Sequence, residues 1–193
     1  MEQFEIRLSG SGGQGLILGA SVLAQALMAE GYKVAQSQAF EPVSRGGVSR
    51  SDLVVARQPP GYPLVTALDL LLVLDQPAVE VSEKMIRPGG LVLVDRQRVG
   101  QPPKGEWRLH ALPLLEAARE AGNLRVANMV ALGALAALGE LCGLPSLRDA
   151  VRHTAPAAFV EISLAGLEAG DAMARELSPD GKTARKTAAK SSA

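Results

Sequence analysis

The sequence predicts an α/β protein built on an open, mostly parallel sheet with helices on both faces and a C-terminal helical part. Three observations support this class. Short apolar runs alternate with amphipathic helical segments over the first part of the chain. The run LDLLLVL at 68–74 is almost continuously apolar, which is typical of a strand covered on both faces. From Leu124 onward the apolar spacing is helical only.

The chain begins with a strand over 4–8, where apolar and polar residues alternate. A helix is predicted over 16–30, with apolar residues at helical spacing and Gly31 as its stop signal. A loop rich in Pro, Ser, Arg and Gly occupies 41–50. The remaining strands are predicted at 33–39, 51–56, 68–74, 91–95 and 108–112.

The remaining helices are predicted at 77–86, 114–120, 124–142, 147–153 and 157–176. Pro77 suits the first turn of its helix, and the Pro-Gly-Gly sequence at 88–90 predicts a turn before the next strand. The final stretch, SPDGKTARKTAAKSSA, has no apolar periodicity. We therefore expect a disordered basic tail over 178–193.

The composition excludes several classes of protein. The 193 residues carry 20 basic and 20 acidic side chains, and this balance argues against a nucleic-acid-binding protein. A single cysteine, Cys142, excludes a disulfide framework and a cysteine-ligated iron–sulfur cluster within the chain. His110 and His153 are far apart in sequence, which argues against a zinc site. The longest apolar stretch, 126–144, contains Glu140 and is short for a membrane span, so we expect a cytoplasmic protein.

A glycine-rich turn follows the first predicted strand. Gly10, Gly12 and Gly15 have the GxGxxG spacing, and Gly13 is an additional glycine. A turn of this kind at a helix start favours an anion. However, NAD-binding proteins have an acidic residue about 20 residues further on, and the sequence AQSQA at 35–39 has none. Two interpretations remain open, namely phosphate binding and a purely structural strand–helix turn.

A second loop, SRGGVSRS at 44–51, places Arg45 and Arg50 around Gly46 and Gly47. The loops that follow the first strands of an open α/β sheet lie at one edge, so we expect this loop to lie near the glycine turn. The planar guanidinium of arginine suits phosphate. The alternative is an exposed loop whose arginines pair with acids of this chain or of a partner.

The two loops together resemble the gamma subunit, or gamma domain, of 2-oxoacid:ferredoxin oxidoreductases. The resemblance rests on GSGGQG and on QSQAFEPVSRGGVSRSD, and it extends to LVLVD after 88–90 and to NMVALGAL from Asn128. It covers about 5–177. The residues that match the family pattern are Gly10, Gly12, Gly13, Gln14, Gly15, Gln36, Gln38, Arg45, Gly46 and Gly47.

The resemblance implies a single Rossmann-like gamma domain over 1–177. It also implies a complex that converts a 2-oxoacid and coenzyme A to acyl-CoA and CO₂ while reducing ferredoxin. Thiamine diphosphate, Mg and iron–sulfur clusters are then expected on partner subunits, and the expected partners are alpha and beta subunits, with a ferredoxin-like delta subunit as a further candidate. This chain would carry no catalytic residue and no metal. The residues implied for coenzyme A or another anion are Gly10, Gly12, Gly13, Gln14, Gly15, Arg45, Gly46, Gly47 and Arg50.

Several points stay open on the sequence alone. The segment AFEPVS lacks the Met and His of the indolepyruvate enzymes, which favours a 2-oxoglutarate, pyruvate or branched-chain enzyme without separating them. Asn128 caps its helix or faces a ligand, and Asp95 approaches a cleft or caps the next turn. The alternative functions are a purely structural assembly subunit and a stand-alone nucleotide-binding oxidoreductase.

Overall fold

Six strands form one open sheet in the computed structural model, which describes residues 3–40 and 47–177. The strands are β1 (Gln3–Ser11), β2 (Lys33–Phe40), β3 (Val48–Ala56), β4 (Leu68–Val73), β5 (Ile86–Asp95) and β6 (Arg108–Leu112). They lie in the order β2-β3-β1-β4-β5-β6. Because only β3 is antiparallel to its neighbours, the other strands all point the same way. The predicted open, mostly parallel sheet is confirmed.

Helices cover both faces of this sheet. They are α1 (Leu16–Ala29), α2 (Pro77–Glu80), α3 (Leu114–Glu120), α4 (Ala127–Gly139), α5 (Leu144–Thr154) and α6 (Val160–Glu176). The larger core packs α1 and the C-terminal helices α3 to α6 on one face. The smaller core packs α2 and the 3-10 turn Glu83–Met85 on the other face. No helix in the described ranges is long and apolar enough to cross a membrane.

Helices α4 and α6 cross with their backbones almost in contact. A Cβ atom on Gly170 would lie 2.8 Å from the carbonyl carbon of Val130, and one on Gly133 would lie 3.0 Å from the amide nitrogen of Asp171. Only a residue without a side chain allows this approach. The crossing buries α4 between the sheet and α6, and the N-terminus of α4 reaches the glycine turn.

The prediction of a single helix over 77–86 is wrong. Helix α2 ends at Glu80, the 3-10 turn Glu83–Met85 follows, and Ile86 already pairs with Leu68 in the sheet. The predicted turn at 88–90 is a bulge inside β5, because pairing resumes between Leu70 and Leu91. Sheet pairing has therefore overridden the local turn signal of Pro-Gly-Gly.

Other element ends differ from the prediction by a turn or less. The predicted helices over 124–142 and 157–176 begin with the 3-10 turns Leu124–Val126 and Ala157–Phe159. Helix α4 ends at Gly139 because Glu140 adopts a left-handed conformation with φ 48°. The predicted tail at 178–193 lies outside the described residues, so the division into a domain at 1–177 and a tail stays a prediction.

Candidate functional site

The glycine turn joins the end of β1 to the start of α1. Gly13 and Gly15 have φ angles of +87° and +72°, a conformation that is costly for residues with a side chain. Gly15 is the residue that caps α1. A Cβ atom on Gly13 would meet no protein atom within 4 Å, so the backbone is open to the outside at this position.

Gln14 stabilises the turn from within. Its side-chain Oε1 accepts a hydrogen bond from the Ser11 amide at 2.7 Å, and its Nε2 donates to the Leu74 carbonyl at 3.3 Å. A side chain on Gly10 would collide with the Gln14 carboxamide. Gly10 and Gln14 therefore form one packing unit that ties the turn to the end of β4, and the polar atoms of Gln14 are already used within the protein.

The second loop reaches the glycine turn at Gly47. The Gly12 amide donates to the Gly47 carbonyl at 2.9 Å, directly beyond the pairing of Ser11 with Val48. The glycine turn and the second loop are neighbours, as predicted, but the strand order that brings them together differs from the predicted one. Strand β2 does not adjoin β1; instead β3 runs antiparallel to β1 and begins where β1 ends. Arg45 and Gly46 lie outside the described residues.

Arg50 belongs to a different environment from the turn. It pairs in register with Ser9, and its Nε lies 4.0 Å from Asp52. Asp52 in turn holds the buried Arg7 through two hydrogen bonds of 2.7 and 2.8 Å. Arg7 contacts the Val81 carbonyl, which places this group on the α2 side of the sheet, away from α1. The structure therefore places Arg50 beside Asp52 on the α2 side of the sheet, whereas the glycine turn leads into α1 on the other side.

A cleft of about 210 Å³ opens beside the glycine turn, at the carboxyl ends of β1, β4 and β5. Ligands of open α/β sheets bind at this edge. The cleft is lined by Gly13, Gln14, Leu74, Asp95, Arg98, Leu115, Leu124, Arg125 and Ala127. Sequence reasoning did not identify Arg98 and Arg125, because each is a single arginine in a connection without a glycine pattern, and only the fold brings them together.

Asp95 has a structural role. One carboxylate oxygen accepts the amides of Gln97 and Arg98 at 2.9 and 2.8 Å, and the other accepts the Leu115 amide at 2.8 Å. It thereby caps both the turn after β5 and the start of α3. Of the two interpretations left open, the cap accounts for the three side-chain hydrogen bonds of Asp95 given above, and the residue also lines the cleft.

Asn128 connects α4 to the glycine turn. Its side chain is buried, donates from Nδ2 to the Gly15 carbonyl at 3.0 Å, and accepts the Met129 amide at 2.9 Å. A Cβ atom on Gly15 would lie 2.5 Å from Asn128 Nδ2. The Asn128 side chain can therefore occupy this position only because residue 15 is a glycine. Asn128 is therefore a core residue that accepts one amide in the first turn of α4 and supports the glycine turn.

The remaining titratable candidates lie outside the cleft. Burial, with a smaller contribution from Glu30, raises the pKa of the Cys142 thiol to about 12. Burial and the nearby Arg108 lower the pKa of His110. Within residues 3–40 and 47–177, no three His, Cys, Asp or Glu side chains cluster as metal ligands.

The fold and the turn define an α/β domain whose glycine turn borders a cleft at the carboxyl edge of the sheet. Residues 5–173 match the family model of the pyruvate ferredoxin/flavodoxin oxidoreductases. The chain belongs to this family.

Similar proteins specify the kind of subunit. The 2-oxoglutarate synthase subunit KorC of Methanocaldococcus jannaschii is 35% identical over 177 residues, covering 90% of this chain and 95% of the relative. The ketoisovalerate oxidoreductase subunit VorA of Methanothermobacter marburgensis is 35% identical over 178 residues, covering 90% of this chain but 37% of the relative.

Solved structures agree with this assignment. The gamma subunit of a keto/oxoacid ferredoxin oxidoreductase from Geobacter sulfurreducens aligns with a TM-score of 0.82 and 35% identity, over 91% of this chain and 98% of that chain. A 2-oxoglutarate:ferredoxin oxidoreductase from Magnetococcus marinus, solved with 2-oxoglutarate, coenzyme A and succinyl-CoA, shares the fold with a TM-score of 0.80 and 22% identity, over 91% of this chain and 32% of that chain. The chain is thus a gamma subunit of the 2-oxoacid:ferredoxin oxidoreductase family, and the resemblance found in the sequence is confirmed.

Proposed function

We propose that this gamma subunit helps to bind and position coenzyme A in a complex that decarboxylates a 2-oxoacid. The complex forms acyl-CoA and CO₂ and passes two electrons to ferredoxin. The observation that carries the proposal is the open backbone of Gly13, which faces a cleft at the ligand-binding edge of the sheet. Positioning a reacting thiol is sufficient for a large rate effect without any acid–base group on this chain.

The hydrogen bonds of the turn indicate which amides can reach an anion. The Ser11 amide is bonded to Gln14, and the Gly12 amide is bonded to Gly47. In the part of the chain that the structure describes, the amides of Gly13 and Gly15 have no such partner. These amides lie at the start of α1, where the helix dipole favours negative charge.

The other predicted site residues have different roles in this proposal. Gly10, Gly12 and Gln14 shape the turn, while Gly47 anchors the second loop to it. Arg45, with Gly46 beside it, precedes Gly47 in the sequence and supplies the positive charge that a phosphate requires. The location of Arg50 near Asp52 supports a structural role for that residue.

The remaining chemistry is assigned to partner subunits. We expect thiamine diphosphate, Mg and the iron–sulfur clusters on the alpha and beta subunits, and on a ferredoxin-like delta subunit where one is present. Exposed apolar side chains support packing against such partners: Ile17 is 44% exposed and Phe40 is 69% exposed. The names of relatives cover 2-oxoglutarate, ketoisovalerate and pyruvate enzymes, so the proposal extends to the substrate class only. The cytoplasmic location stays a prediction.

The test compares two glycine variants in the assembled complex. Gly13→Ala adds a methyl group where a ligand would approach, and Gly89→Ala is a matched control, since Gly89 has φ +77° and equally open surroundings in the bulge of β5. We expect the KM for coenzyme A to rise about tenfold in Gly13→Ala and to stay unchanged in Gly89→Ala.

The same preparation tests the assembly. Mass spectrometry should identify the partner subunits, and the visible spectrum should show iron–sulfur absorption. An unchanged KM for coenzyme A in Gly13→Ala, within an intact complex, would instead support the purely structural role. A colourless protein that purifies alone would contradict the assembly itself.

A further inference from the structure

Helix α1 and strand β2 form a surface without charge at one edge of the sheet. No charged residue occurs in α1 or at 34–40 in β2, although 21% of the whole chain is charged. Ile17, Met28 and Phe40 of this surface are 44%, 50% and 69% exposed. An exposed surface normally carries charged side chains, so an uncharged and partly apolar one indicates a contact with another protein chain.

Strand β2 is also an edge of the sheet. Within residues 3–40 and 47–177 it pairs with β3 alone, so its outer side presents backbone groups to a further strand. The other edge, β6, is protected, because it has five residues, begins with the exposed Arg108 and is followed by Pro113. Sheets use such features to prevent edge-to-edge pairing. Strand β2 is eight residues long and has neither a charge nor a proline at 34–40.

The side chains of β2 alternate between the two faces of the sheet. Val34 packs on the core beneath α1, and Gln36 forms a hydrogen bond of 3.4 Å with Ser21 of α1, so the even-numbered residues lie on the α1 face. Gln38 and Phe40 share this face. The residues on the opposite face have small side chains and are Ala35, Ser37 and Ala39. A neighbouring strand can therefore approach β2 without burying a charge.

We infer that β2 pairs with β2 of a second copy of this chain, across a two-fold axis that passes through Ser37 perpendicular to the sheet. An antiparallel pairing about this axis keeps α1 of both copies on the same face. The facing residues are then Ser37 with Ser37, Gln36 with Gln38, Ala35 with Ala39, and Val34 with Phe40. Each pair joins side chains of the same polarity, so the edge is complementary to itself.

The single charge of β2 agrees with this arrangement. Lys33 is at the end of the strand, and the antiparallel pairing separates it from Lys33 of the second copy by about 27 Å along the strands. A parallel pairing would instead place the two lysines side by side, which is unfavourable. The two-fold pairing therefore leaves both lysines outside the contact.

Helix α1 extends the contact beyond the strands. Ile17, Ser21 and Met28 lie on one side of the helix, and Ser21 reaches Gln36 of β2, so the exposed Ile17 and Met28 border the edge. The inference thus specifies the subunit contact that the exposure of Ile17 and Phe40 supports, and it does not depend on coenzyme A. The exposed Leu109 on β6, at the opposite edge, remains for packing against other subunits.

The first experiment is disulfide cross-linking in the assembled complex. Ser37→Cys places two thiols opposite each other at the axis, within reach of a disulfide. Ala35→Cys is the matched control, because in this register its two copies are about 13 Å apart along the strands. The wild type, whose single cysteine is Cys142, gives the background. On mild oxidation we expect a covalent dimer of gamma subunits in Ser37→Cys, formed about tenfold faster than in Ala35→Cys.

The second experiment measures self-association of the full chain by sedimentation equilibrium. Ser37→Lys places two like charges opposite each other, so we expect the dissociation constant of the dimer to rise about tenfold. Ala111→Lys adds the same charge at an exposed position of β6 and should leave the dissociation constant unchanged. The wild type should be a dimer at concentrations where Ser37→Lys dissociates.

Three results would overturn the inference. The first is a wild-type chain that stays monomeric and a Ser37→Cys variant that folds without cross-linking. The second is cross-linking of Ser37→Cys to a different subunit, identified by mass spectrometry, since another chain would then cover β2. The third is an equal rate for Ser37→Cys and Ala35→Cys, which would indicate random collision.

A double variant keeps the test valid if Ser37→Cys does not fold. Ala35→Cys combined with Ala39→Cys brings each new thiol opposite one of the second copy in the same register. We expect this double variant to cross-link and each of its single variants to cross-link about tenfold more slowly. A double variant that behaves like the single ones would contradict the pairing.

Discussion

Substitution of Asn128 tests most directly whether its side-chain hydrogen bonds stabilise the glycine turn. Asn128→Ala removes a hydrogen bond to the Gly15 carbonyl and one from the Met129 amide. The Gly15 carbonyl keeps the Gly19 amide as a donor at 2.9 Å, but the Met129 amide is left buried without its partner. A buried group that loses its partner costs about 1–3 kcal/mol, and we expect about 2 kcal/mol for this variant.

The isosteric variant Asn128→Asp gives a pH-dependent readout. At neutral pH a carboxylate oxygen replaces Nδ2 and faces the Gly15 carbonyl, so we expect a larger destabilisation than in Asn128→Ala. Burial raises the pKa of the new carboxyl in the folded state, and its protonated form can donate to the carbonyl. The loss in free energy of unfolding caused by Asn128→Asp should therefore grow as pH rises through that raised pKa and shrink as pH falls below it.

The assay is urea unfolding followed by the fluorescence of Trp107, the only tryptophan of the chain. A loss of about 2 kcal/mol corresponds to about 4–8 °C in melting temperature for a domain of this size. Asn123→Asp is the control, since the Asn123 side chain only accepts a hydrogen bond from the Arg125 amide, and a carboxylate does the same. Neutral substitutions change the free energy of unfolding by up to about 0.5 kcal/mol. The reasoning is refuted if the free energy of unfolding of Asn128→Ala lies within this range of the wild-type value. It is also refuted if the destabilisation caused by Asn128→Asp does not depend on pH.

Three further predictions concern the rest of the molecule. Asp52→Asn should cost about 3–5 kcal/mol in urea unfolding, because it leaves Arg7 as a buried charge without a counterion. Gly170→Ala should cost more than about 2 kcal/mol in the same assay, because the methyl group overlaps the Val130 carbonyl. The Cys142 thiol should react with a disulfide reagent at pH 8 about a thousandfold more slowly than in the unfolded chain, because burial raises its pKa to about 12 and suppresses the thiolate.

The Asp52→Asn and Gly170→Ala predictions each have a matched control variant. Asp149→Asn changes an exposed carboxylate that pairs with Arg152, and it should cost less than about 0.5 kcal/mol. Gly61→Ala adds a methyl group in open space and should be nearly neutral. Rapid labelling of Cys142 in the folded protein would contradict the assigned burial of its thiol. A neutral Gly170→Ala variant would show that α4 and α6 can separate without cost.

The sequence predicted the parts of the fold that depend on local patterns. Apolar runs located the strands, and the glycines located the turn at Gly13 and Gly15, where the backbone conformation itself requires glycine. Tertiary pairing decided the rest. Ile86 was predicted to end a helix, but it pairs with Leu68 of β4. The predicted turn at 88–90 lies in the bulge between this pair and the pair of Leu70 with Leu91.

The arginines of the cleft could not be predicted in the same way. Arg98 follows β5 and Arg125 precedes α4, and nothing in their local sequence marks either one. They face a common space only because α3 and α4 pack on the same side of the sheet, a long-range arrangement. For Arg50 the local sequence suggested an anion contact, and the pairing of β1 with β3 places its side chain on the same face as Asp52.

The buried pair of Arg7 and Asp52 explains why the second loop meets the glycine turn. The two residues are directly opposite in the antiparallel pairing of β1 with β3. A slip of one residue would turn Asp52 to the other face and leave Arg7 buried without a counterion. The ion pair therefore specifies the register of β3 more than it adds stability, since a buried pair recovers little beyond its desolvation cost. That register brings Gly47 to Gly12, so a charged pair in the middle of the sheet determines the geometry at its edge.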